Sequence, residues 1–297
     1  LLGATFNDEL IGELFEYFGA EMKYNRIDTI LGPGMNIHRH PLNGRNYEYI
    51  SEDTILTGKI CAAELKGLHR AGVEGTIKHF CANNQEFRRA DAMGVISERA
   101  LREIYLKCFE IAIKETGCSS VMTTYGPFNG LWTSGNYDLC TTVLRKEWGF
   151  DGLVVTDWAS STEMIAHGFA ADSKEVAMKA VNAGVDMEMV GNTFVKELPG
   201  LIKEGKVKEA EIDNAVRNIL RIKYRLGLFE NPYVDEKANV LYAPSHLEAA
   251  KQAATESAIL LKNDHETLPL QSSVKTIAIV GPMANAPYDQ LGTWVFD

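Results

Sequence analysis

GLVVTDW, at residues 152–158, is the stretch that decides the fold, because a short apolar run stops there at a carboxylate and a tryptophan. Such a run is typical of a strand buried on both faces of a parallel sheet. In parallel barrels, the chemistry lies at the carboxyl ends of the strands. Asp157 is therefore a candidate catalytic carboxylate, although serines at 160 and 161 follow it and a carboxylate here could equally cap a helix.

Short apolar runs of this kind alternate along the chain with longer amphipathic segments. The pattern predicts strand–helix units, a parallel sheet and an α/β fold. The predicted strands lie near Ile27–Leu31, Val73–Ile77, Ser120–Thr124, Gly152–Thr156 and Val185–Val190. The predicted helices are a first one that Asn7 can cap and others near Ile55–Arg70, Glu98–Thr116, Thr141–Trp148, Lys174–Ala183, Glu209–Leu226 and Ser245–Lys262.

A change of organisation is predicted near residue 240. Residues 1–240 hold the strand–helix units, and residues 241–297 hold a linker helix followed by a fresh strand from Thr276. That strand and its Gly-Pro turn resemble the opening of a second α/β domain. Both ends of the chain look internal, and no leader peptide is visible at the start. We therefore expect this to be a segment of something longer.

The composition narrows the classes of function. A hydrophobic share of 45% and a charged share of 24% are ordinary for a globular protein, while a net charge of -10 argues against nucleic acid as a partner. No apolar run approaches the roughly 18 residues of a membrane span. Five cysteines without zinc-ligand spacing predict neither a metal site nor a cofactor, and they leave the compartment open.

Five polar or aromatic side chains stand at or just beyond the predicted strand ends. They comprise two basic groups, a histidine, a tyrosine and a carboxylate: Arg45, Lys78, His79, Tyr125 and Asp157. Arg45 lies in an unusually long loop, residues 32–53, and long loops in compact domains are usually functional. A sugar pocket needs this mixture of hydroxyl donors, an aromatic wall and a carboxylate near the anomeric carbon.

Seven segments, in order, resemble the family 3 glycoside hydrolases, and in particular their bacterial β-glucosidase branch. The segments are LGPGMNIHRHPLNGRNYEYISED (31–53), TIKHFCANNQE (76–86), SSVMTTYGPFNG (119–130), GLVVTDW (152–158), AGVDMEM (183–189), AILLKNDHETLPL (258–270) and TIAIVGPMAN (276–285). The resemblance implies a (β/α)8-type, TIM-like barrel that is incomplete at the N-terminus, followed by the start of an α/β sandwich domain. It covers nearly the whole chain.

The resemblance also implies roles for individual residues. Asp157 would attack the anomeric carbon of a β-glucoside and form a covalent glycosyl-enzyme. The sugar hydroxyls would be bound by Arg45, Lys78 and His79, although His79 could instead be structural. Tyr125 would lie near the nucleophile, and Trp158 would supply an apolar wall. Glu48 and Asp186 would orient the basic groups.

Two parts of the family pattern are not found in the sequence. An aspartate from the opening barrel strand would precede Leu1, and the acid/base glutamate of the second domain would follow Asp297. Glu86 is the in-chain substitute for the proton donor, but it reads more readily as the acidic residue that starts a helix. We therefore expect little turnover from these residues alone. The loop CANNQEFRR (81–89) lacks the glycine and histidine of the β-N-acetylglucosaminidase branch, which argues against that activity.

Several alternatives stay open at this point. β-Xylosidase or arabinofuranosidase activity depends on pocket depth, and the linkage, aglycone and oligomeric state cannot be read from the sequence. Lys78 at a strand end could form a Schiff base, as in barrel aldolases. The barrel could also bind sugar without catalysis. Trp294 could form an aromatic platform near the site or belong to a core.

Overall fold

Four parallel strands form the central sheet of the computed structural model, which describes residues 1–89, 91–235 and 239–294. The strands are β1 (Thr29–Ile30), β2 (Glu74–Phe80), β3 (Ser120–Thr123) and, after a short hairpin, β6 (Leu153–Val155). Each pairs in parallel with the next, and a single bridge from Val155 to Met187 continues the order. The predicted α/β class is confirmed, and the sheet is consistent with an incomplete barrel.

The hairpin between β3 and β6 was not anticipated from the sequence. Its strands, β4 (Pro127–Phe128) and β5 (Leu131–Trp132), are antiparallel and joined by Asn129 and Gly130. Both turn residues have positive φ, 49° and 83°, as a two-residue type I′ turn requires. Asn-Gly is the favoured pair for such a turn, so the signal was present. The hairpin buries Trp132 in the core.

Nine α-helices surround the sheet or follow it within the described ranges. They are α1 (Asp8–Tyr24), α2 (Thr54–Ala71), α3 (Glu98–Ala100), α4 (Lys107–Thr116), α5 (Ser160–Ala166), α6 (Ser173–Ala183), α7 (Thr193–Lys203), α8 (Glu209–Arg225) and α9 (Pro244–Glu256). Leu101–Tyr105 and Asp138–Glu147 are π-helical. The predicted helices are formed, except that Thr141–Trp148 and Leu101–Tyr105 have π geometry and the last helix ends at Glu256, before the predicted Lys262.

Side-chain caps explain where the first helices begin. The Asn7 side chain accepts a hydrogen bond from Leu10 N, and the Asp53 side chain accepts one from Leu56 N. Each cap pairs a backbone N–H that the helix itself leaves without a partner. At its other end, α2 stops at Gly72, whose φ of 79° disfavours residues with a side chain. These caps direct the chain from helix to strand.

The helices α1 and α2 approach closely because glycines line their contact. A Cβ atom added to Gly67 would lie 2.3 Å from the carbonyl oxygen of Gly12. A Cβ added to Gly19 would lie 2.6 Å from Cβ of Ala71. Only glycine therefore fits at Gly67 in this packing.

The main core lies between the sheet and its helices. The strand residues Ile77, Val121 and Val154 are fully buried, and Phe80 packs edge-on against Phe109 with ring centroids 5.2 Å apart. Burial on both faces explains the continuous apolar runs of β2, β3 and β6. The five cysteines are free and buried: Cys61, Cys81, Cys108, Cys118 and Cys140.

The helix α9 packs against the beginning of the chain. Nδ1 of His246 lies 2.6 Å from Oε1 of Glu21, and Nδ2 of Asn7 donates to Oε2 of Glu256 over 2.8 Å. These contacts make α9 part of the first compact unit, which extends over Leu1–Ala258. The unit thus ends later than the boundary near residue 240 that the sequence suggested.

The second compact unit, Ile259–Asp297, has no strand among its described residues 259–294. The strand expected from Thr276 is not formed there, and Ile277, Ile279 and Val280 are exposed. A strand requires the backbone of a neighbouring strand as its hydrogen-bonding partner. The assignment of residues 241–297 to a linker and a second α/β domain stays a prediction.

Candidate active site

Asp157 lies two residues after the end of β6 and is buried. Its Oδ1 atom accepts a hydrogen bond of 2.7 Å from the backbone N–H of Trp158. Its Oδ2 atom accepts no hydrogen bond from the described residues, and Nε2 of His79 lies 3.4 Å from it. The following helix, α5, has no side-chain cap. The carboxylate therefore does not act as the helix cap that the local sequence allowed.

The surroundings of Asp157 act on its charge in opposite directions. Burial raises the pKa of the Asp157 carboxyl, while the Trp158 N–H and the charges of Arg45, Lys78 and Arg89 lower it. The net shift is upward from the ordinary value. Burial thus outweighs the hydrogen bond and the three cations together.

Glu48 joins the two basic groups that the sequence placed in the site. Nε of Arg45 donates to Oε1 of Glu48, and Nζ of Lys78 lies 3.1 Å from Oε2. All three side chains are only 10 to 13% exposed, which strengthens their electrostatic attraction. The structure therefore brings the long loop and β2 together at one carboxylate, where Glu48 was expected to orient the basic groups.

His79 is buried and held from several directions. Its backbone N–H and C=O both pair with the side-chain amide of Asn36, each over 2.9 Å. Its Nδ1 atom lies 3.1 Å from the hydroxyl of Tyr49. Burial, followed by the charges of Arg45 and Lys78, holds the pKa of His79 well below its ordinary value. The imidazole is therefore neutral near pH 7.

Tyr125 and Trp158 form the aromatic edge of the site. The Tyr125 hydroxyl donates to the backbone oxygen of Trp158, and the guanidinium of Arg89 lies 4.3 Å from the Tyr125 ring centroid. Burial and the nearby charge of Asp157 raise the pKa of Tyr125 to about 12. The Trp158 side chain is 61% exposed and offers an apolar surface beside the carboxylate.

The structure corrects the expectation for Asp186. Its Oδ2 accepts hydrogen bonds from Nη2 of Arg145 and from the backbone N–H of Val154, and its Oδ1 accepts one from Asn218. Val154 lies in β6, ahead of the Asp157 end, so this carboxylate joins β6 to α8 and the π-helical segment. Asp186 therefore anchors the fold and does not orient Arg45 or Lys78.

Three residues of the loop after β2 contribute to the site, although the sequence reading gave two of them no role. Asn83 donates through Nδ2 to Glu86 Oε1 and to the Tyr49 hydroxyl, each over 2.9 Å. Nη1 of Arg89 donates to Glu86 Oε2 over 2.9 Å. The segment NNQE was visible in the sequence, but its contact with Tyr49, 34 positions away, depends on the tertiary fold.

A cavity of about 810 Å³ opens beside these residues. Asn83, Glu86 and Arg89 form part of its wall, together with the apolar Met93 and Ile96. Its volume falls within the usual range for small-molecule sites.

Residues 1–89, 91–235 and 239–294 contain neither a candidate metal cluster nor a candidate membrane-spanning helix. No three His, Cys, Asp or Glu side chains come together there in a way that could hold a metal ion. No helix in these ranges combines the length and apolar character that crossing a bilayer needs. Trp294 belongs to the second unit and is 61% exposed, and its place near the site stays a prediction.

Comparison with known proteins agrees with this fold. The profile described as the glycosyl hydrolase family 3 N terminal domain matches residues 1–222. The chain is 55% identical to a β-glucosidase of Ruminococcus albus over 223 residues, which are 74% of this chain and 23% of that protein. It is 37% identical to thermostable β-glucosidase B of Acetivibrio thermocellus over 96% of this chain and 36% of that protein. This chain belongs to glycoside hydrolase family 3.

Solved structures show the same relationship. A β-glucosidase from Listeria innocua matches 91% of this chain and 39% of its own, with a TM-score of 0.85 and 32% identity. β-Glucosidase 3B from Thermotoga neapolitana matches the same share of this chain and 37% of its own, with a TM-score of 0.80 and 39% identity. The Listeria protein has been solved with glucose, and a mutant of it with laminaribiose. The present chain thus spans less than two-fifths of these relatives.

Proposed function

We propose that this chain carries the sugar-binding and nucleophilic part of a retaining β-glucosidase. The observation that carries the proposal is the Asp157 carboxylate, with Oδ1 held by a backbone N–H and Oδ2 left without a hydrogen bond among the described residues. A nucleophile needs one oxygen fixed and the other available for attack. Asp157 stands at a strand end beside basic and aromatic groups, as sugar chemistry requires.

In the proposed mechanism, Oδ2 of Asp157 attacks the anomeric carbon and the glycosidic bond breaks, which leaves a glycosyl ester on the aspartate. Water then hydrolyses the ester, so two displacements retain the configuration. Arg45, Lys78 and His79 bind the sugar hydroxyls, and Trp158 supplies an apolar wall. Hydrogen bonds to the hydroxyls that tighten in the transition state add several kcal/mol of stabilisation in such enzymes.

The proton donor is proposed to be a carboxyl group of the second domain that is implied by the resemblance to family 3. Retaining enzymes place their two carboxyl groups about 5 to 5.5 Å apart, and one of them must be protonated. Within the loop after β2, Glu86 is a poor candidate because its two oxygens accept hydrogen bonds from Asn83 and Arg89. Acceptance of two N–H donors is typical of an ionised carboxylate.

The substrate class is proposed from the relatives. The Listeria relative has been solved with glucose, laminaribiose, isofagomine and gluconolactone. Of these, laminaribiose is a disaccharide of two glucose units. A terminal, non-reducing β-D-glucosyl residue is accordingly the proposed substrate group, with β-xylosides as the nearest alternative.

The Schiff-base alternative is less well supported by the geometry. A lysine that attacks a carbonyl must present its amine to the substrate, whereas Nζ of Lys78 lies 3.1 Å from Oε2 of Glu48 in an ion pair. A sugar-binding barrel without catalysis differs from the proposed enzyme in whether Asp157 reacts. The experiment therefore has to report on a covalent bond to Asp157.

The test is to incubate the protein with a 2-deoxy-2-fluoro-β-glucoside that bears a good leaving group, and to map the product by peptide mass spectrometry. The fluorine slows the second displacement and traps the ester. We expect a single fluoroglucosyl adduct on Asp157. Isofagomine present in excess should prevent its formation by occupying the sugar site.

Two variants provide the controls for this experiment. Asp157→Asn removes the nucleophile and should form no adduct, while Asp151→Asn alters an exposed carboxylate just before β6 and should label as the parent protein does. An adduct on another residue would contradict the nucleophile assignment. Binding of glucose without any adduct would instead favour the non-catalytic alternative.

A further inference from the structure

Three buried side chains, connected by hydrogen bonds, lead away from the proposed nucleophile Asp157. Nε2 of His79 faces Oδ2 of Asp157 at 3.4 Å, and Nδ1 on the opposite side of the ring lies 3.1 Å from the Tyr49 hydroxyl. The same hydroxyl lies 2.9 Å from Nδ2 of Asn83. His79, Tyr49 and Asn83 are each at most 5% exposed, so their polar atoms must form hydrogen bonds with other groups of the protein.

The direction of these hydrogen bonds is set by Glu86. Nδ2 of Asn83 also lies 2.9 Å from Oε1 of Glu86, whose other oxygen accepts from Arg89. A carboxylate only accepts, so the Asn83 atom between Glu86 and Tyr49 must be the amide nitrogen. Asn83 therefore donates one N–H to Glu86 and the other to the Tyr49 oxygen. The single hydroxyl proton of Tyr49 is then free to point at His79.

One tautomer of the His79 ring fits a hydrogen bond donated by the Tyr49 hydroxyl. Burial raises the pKa of the Tyr49 phenol, so it keeps its proton and remains a donor. Burial also keeps His79 neutral, with one ring nitrogen protonated and the other not. Because Nδ1 accepts from Tyr49, the proton of His79 must reside on Nε2. That N–H is the group that faces Oδ2 of Asp157.

We propose that Tyr49 and Asn83 are positioning residues that lock His79 as the Nε2–H tautomer and so present a donor, never a lone pair, to the nucleophile and its sugar. The opposite tautomer would place two lone pairs face to face at 3.4 Å in a buried site. The partner of one imidazole nitrogen commonly sets the state of the other. The tautomer is argued from the hydrogen-bond geometry and the burial of Tyr49 and His79, while its effect on catalysis rests on the proposed function.

The first test is NMR spectroscopy of the protein with ring-15N-labelled histidine. His79 is assigned from its contacts with the Tyr49 ring, which packs edge-on with centroids 6.2 Å apart. We expect a single neutral Nε2–H tautomer that does not titrate near pH 6.5. In Tyr49→Phe, the Nδ1 resonance should shift as its hydrogen bond is lost, and the Nδ1–H tautomer should become populated. Tyr105→Phe alters a buried tyrosine that makes no hydrogen bond to His79, Tyr49 or Asn83 in the contacts described above, and it should leave both resonances unchanged.

The second test follows, against pH, the rate at which the 2-deoxy-2-fluoro-β-glucoside forms its ester on Asp157. We expect Tyr49→Phe to lower this rate about ten-fold, which is the lower end of the effect of removing the hydrogen-bond partner of a metal-bound histidine. The acidic limb of the rate profile should move to higher pH, because the Nδ1–H tautomer turns a lone pair toward Oδ2 of Asp157 and so disfavours the ionised carboxylate. A loss of packing alone would change neither the limb nor the tautomer.

The outcomes separate the two proposals. An Nδ1–H tautomer in the parent protein, or an unchanged Nδ1 resonance in Tyr49→Phe, would overturn the positioning role whatever the activity. An Nε2–H tautomer in a protein that forms no glycosyl ester on Asp157 would leave the positioning role standing and remove the proposed function. The spectrum of the parent protein decides the tautomer even where Tyr49→Phe does not fold.

Discussion

Asp157 and Asp186 are aspartates of the same sheet region with largely buried side chains. The number of hydrogen bonds that each carboxylate accepts indicates which one is structural. Asp186 accepts three hydrogen bonds, from Arg145, Asn218 and the backbone of Val154. Asp157 accepts one, from the backbone of Trp158. Burial raises the pKa of both carboxyls. A carboxylate whose lone pairs are occupied holds structure together, while one with an available oxygen is suited to react.

Asp186→Ala should destabilise the protein strongly. The change leaves the Arg145 guanidinium, whose side chain is 19% exposed, without its carboxylate, and it removes the acceptor of two further donors. Removing one partner of a buried ion pair costs about 3 to 5 kcal/mol of unfolding free energy. Because Arg145 is partly exposed, we expect about 3 kcal/mol, measured by urea unfolding.

Asp213→Ala is the matched control for Asp186→Ala. Asp213 also pairs with an arginine, Arg217 on α8, but both side chains are about 60% exposed. Exposed pairs contribute little, so its unfolding free energy should change by less than about 1 kcal/mol. Equal effects of the two substitutions would contradict the anchoring role of Asp186.

Individual site residues were partly predictable from the sequence. Arg45, Lys78 and Asp157 stood out because each follows or ends a predicted strand. Glu48 pairs with both basic groups, and its role in orienting them stays a prediction. Asp186 also stood in a predicted strand, but the face to which a single carboxylate points is decided by its partners. Tyr49 and Asn83 had no local signal, because their contacts join segments that are distant in sequence.

At the scale of elements, the contact of α1 with α2 depends on glycine. Gly67→Ala would place a Cβ atom 2.3 Å from the Gly12 carbonyl oxygen, and backbone atoms cannot move aside as a flexible side chain can. Overpacking of this kind costs about 1 to 3 kcal/mol. We expect a loss of about 2 kcal/mol in thermal or urea unfolding, in spite of the higher helix propensity of alanine.

Gly200→Ala should have the opposite effect on stability from Gly67→Ala, although both glycines lie in helices. A Cβ atom at Gly200, in α7, would meet no atom within 4 Å. Alanine is favoured over glycine in a helix by about 0.5 to 1 kcal/mol, so this variant should be slightly more stable than the parent. A stabilising effect of Gly67→Ala as well would mean that the helices do not approach as closely as described.

Helix α2 also contains a buried carboxyl group, Glu64. Its Oε1 atom has no hydrogen bond among the described residues, and burial raises its pKa from 4.5 to about 8. The unfolded chain therefore releases this proton near pH 4.5, while the folded protein keeps it until about pH 8. The contribution of Glu64 to stability is complete below pH 4.5 and is lost as pH rises through this window.

Glu64→Gln should remove that pH dependence. The neutral amide has no proton to release, so at pH 7 the variant should exceed the parent in unfolding free energy by up to roughly 3 kcal/mol. Urea unfolding between pH 4 and 8 measures the difference, with the exposed Glu103→Gln as the control. A variant that is equally less stable than the parent at every pH would show that Glu64 is not protonated in the folded protein.

The strands and helices were largely predictable because their hydrophobic periods are clear. α1 and α2 begin at the residues that Asn7 and Asp53 cap, and β2, β3 and β6 coincide with apolar runs. Val185–Val190 was expected as a strand but makes one bridge, at Met187, while the Glu188 side chain accepts a hydrogen bond from Phe194 N at the start of α7. Apolar composition indicates burial, but pairing also requires a neighbouring backbone.

At the scale of the whole molecule, the five cysteines report on the integrity of the first unit. All are buried, and burial raises the pKa of every thiol, for example to about 12 at Cys108 and Cys140. The thiolate is the reactive form. A thiol reagent at pH 8 should therefore react slowly with the native protein and with five thiols per chain in urea. Rapid reaction of one thiol in the native state would reveal local opening around that cysteine.

The boundary between the two compact units was the property of the molecule that the sequence predicted least well. The likeness of the last segment to the opening of a second domain suggested a boundary near residue 240, whereas α9 contacts α1 through His246 and Asn7 and lies in the first compact unit. The apolar strand signal from Thr276 was clear, yet those residues are exposed and unpaired among the described ones. Contacts between distant segments determine such boundaries, and a single sequence does not encode them locally.

The contact between α9 and α1 has a topological consequence. It places the end of the first unit beside its beginning, so the chain of that unit nearly forms a closed ring. A circular permutant that joins residue 258 to residue 1 through a short linker, with new termini in an exposed loop, should keep every contact of the sheet and the candidate site. The linear order of the strands is therefore one of several chain orders compatible with this architecture.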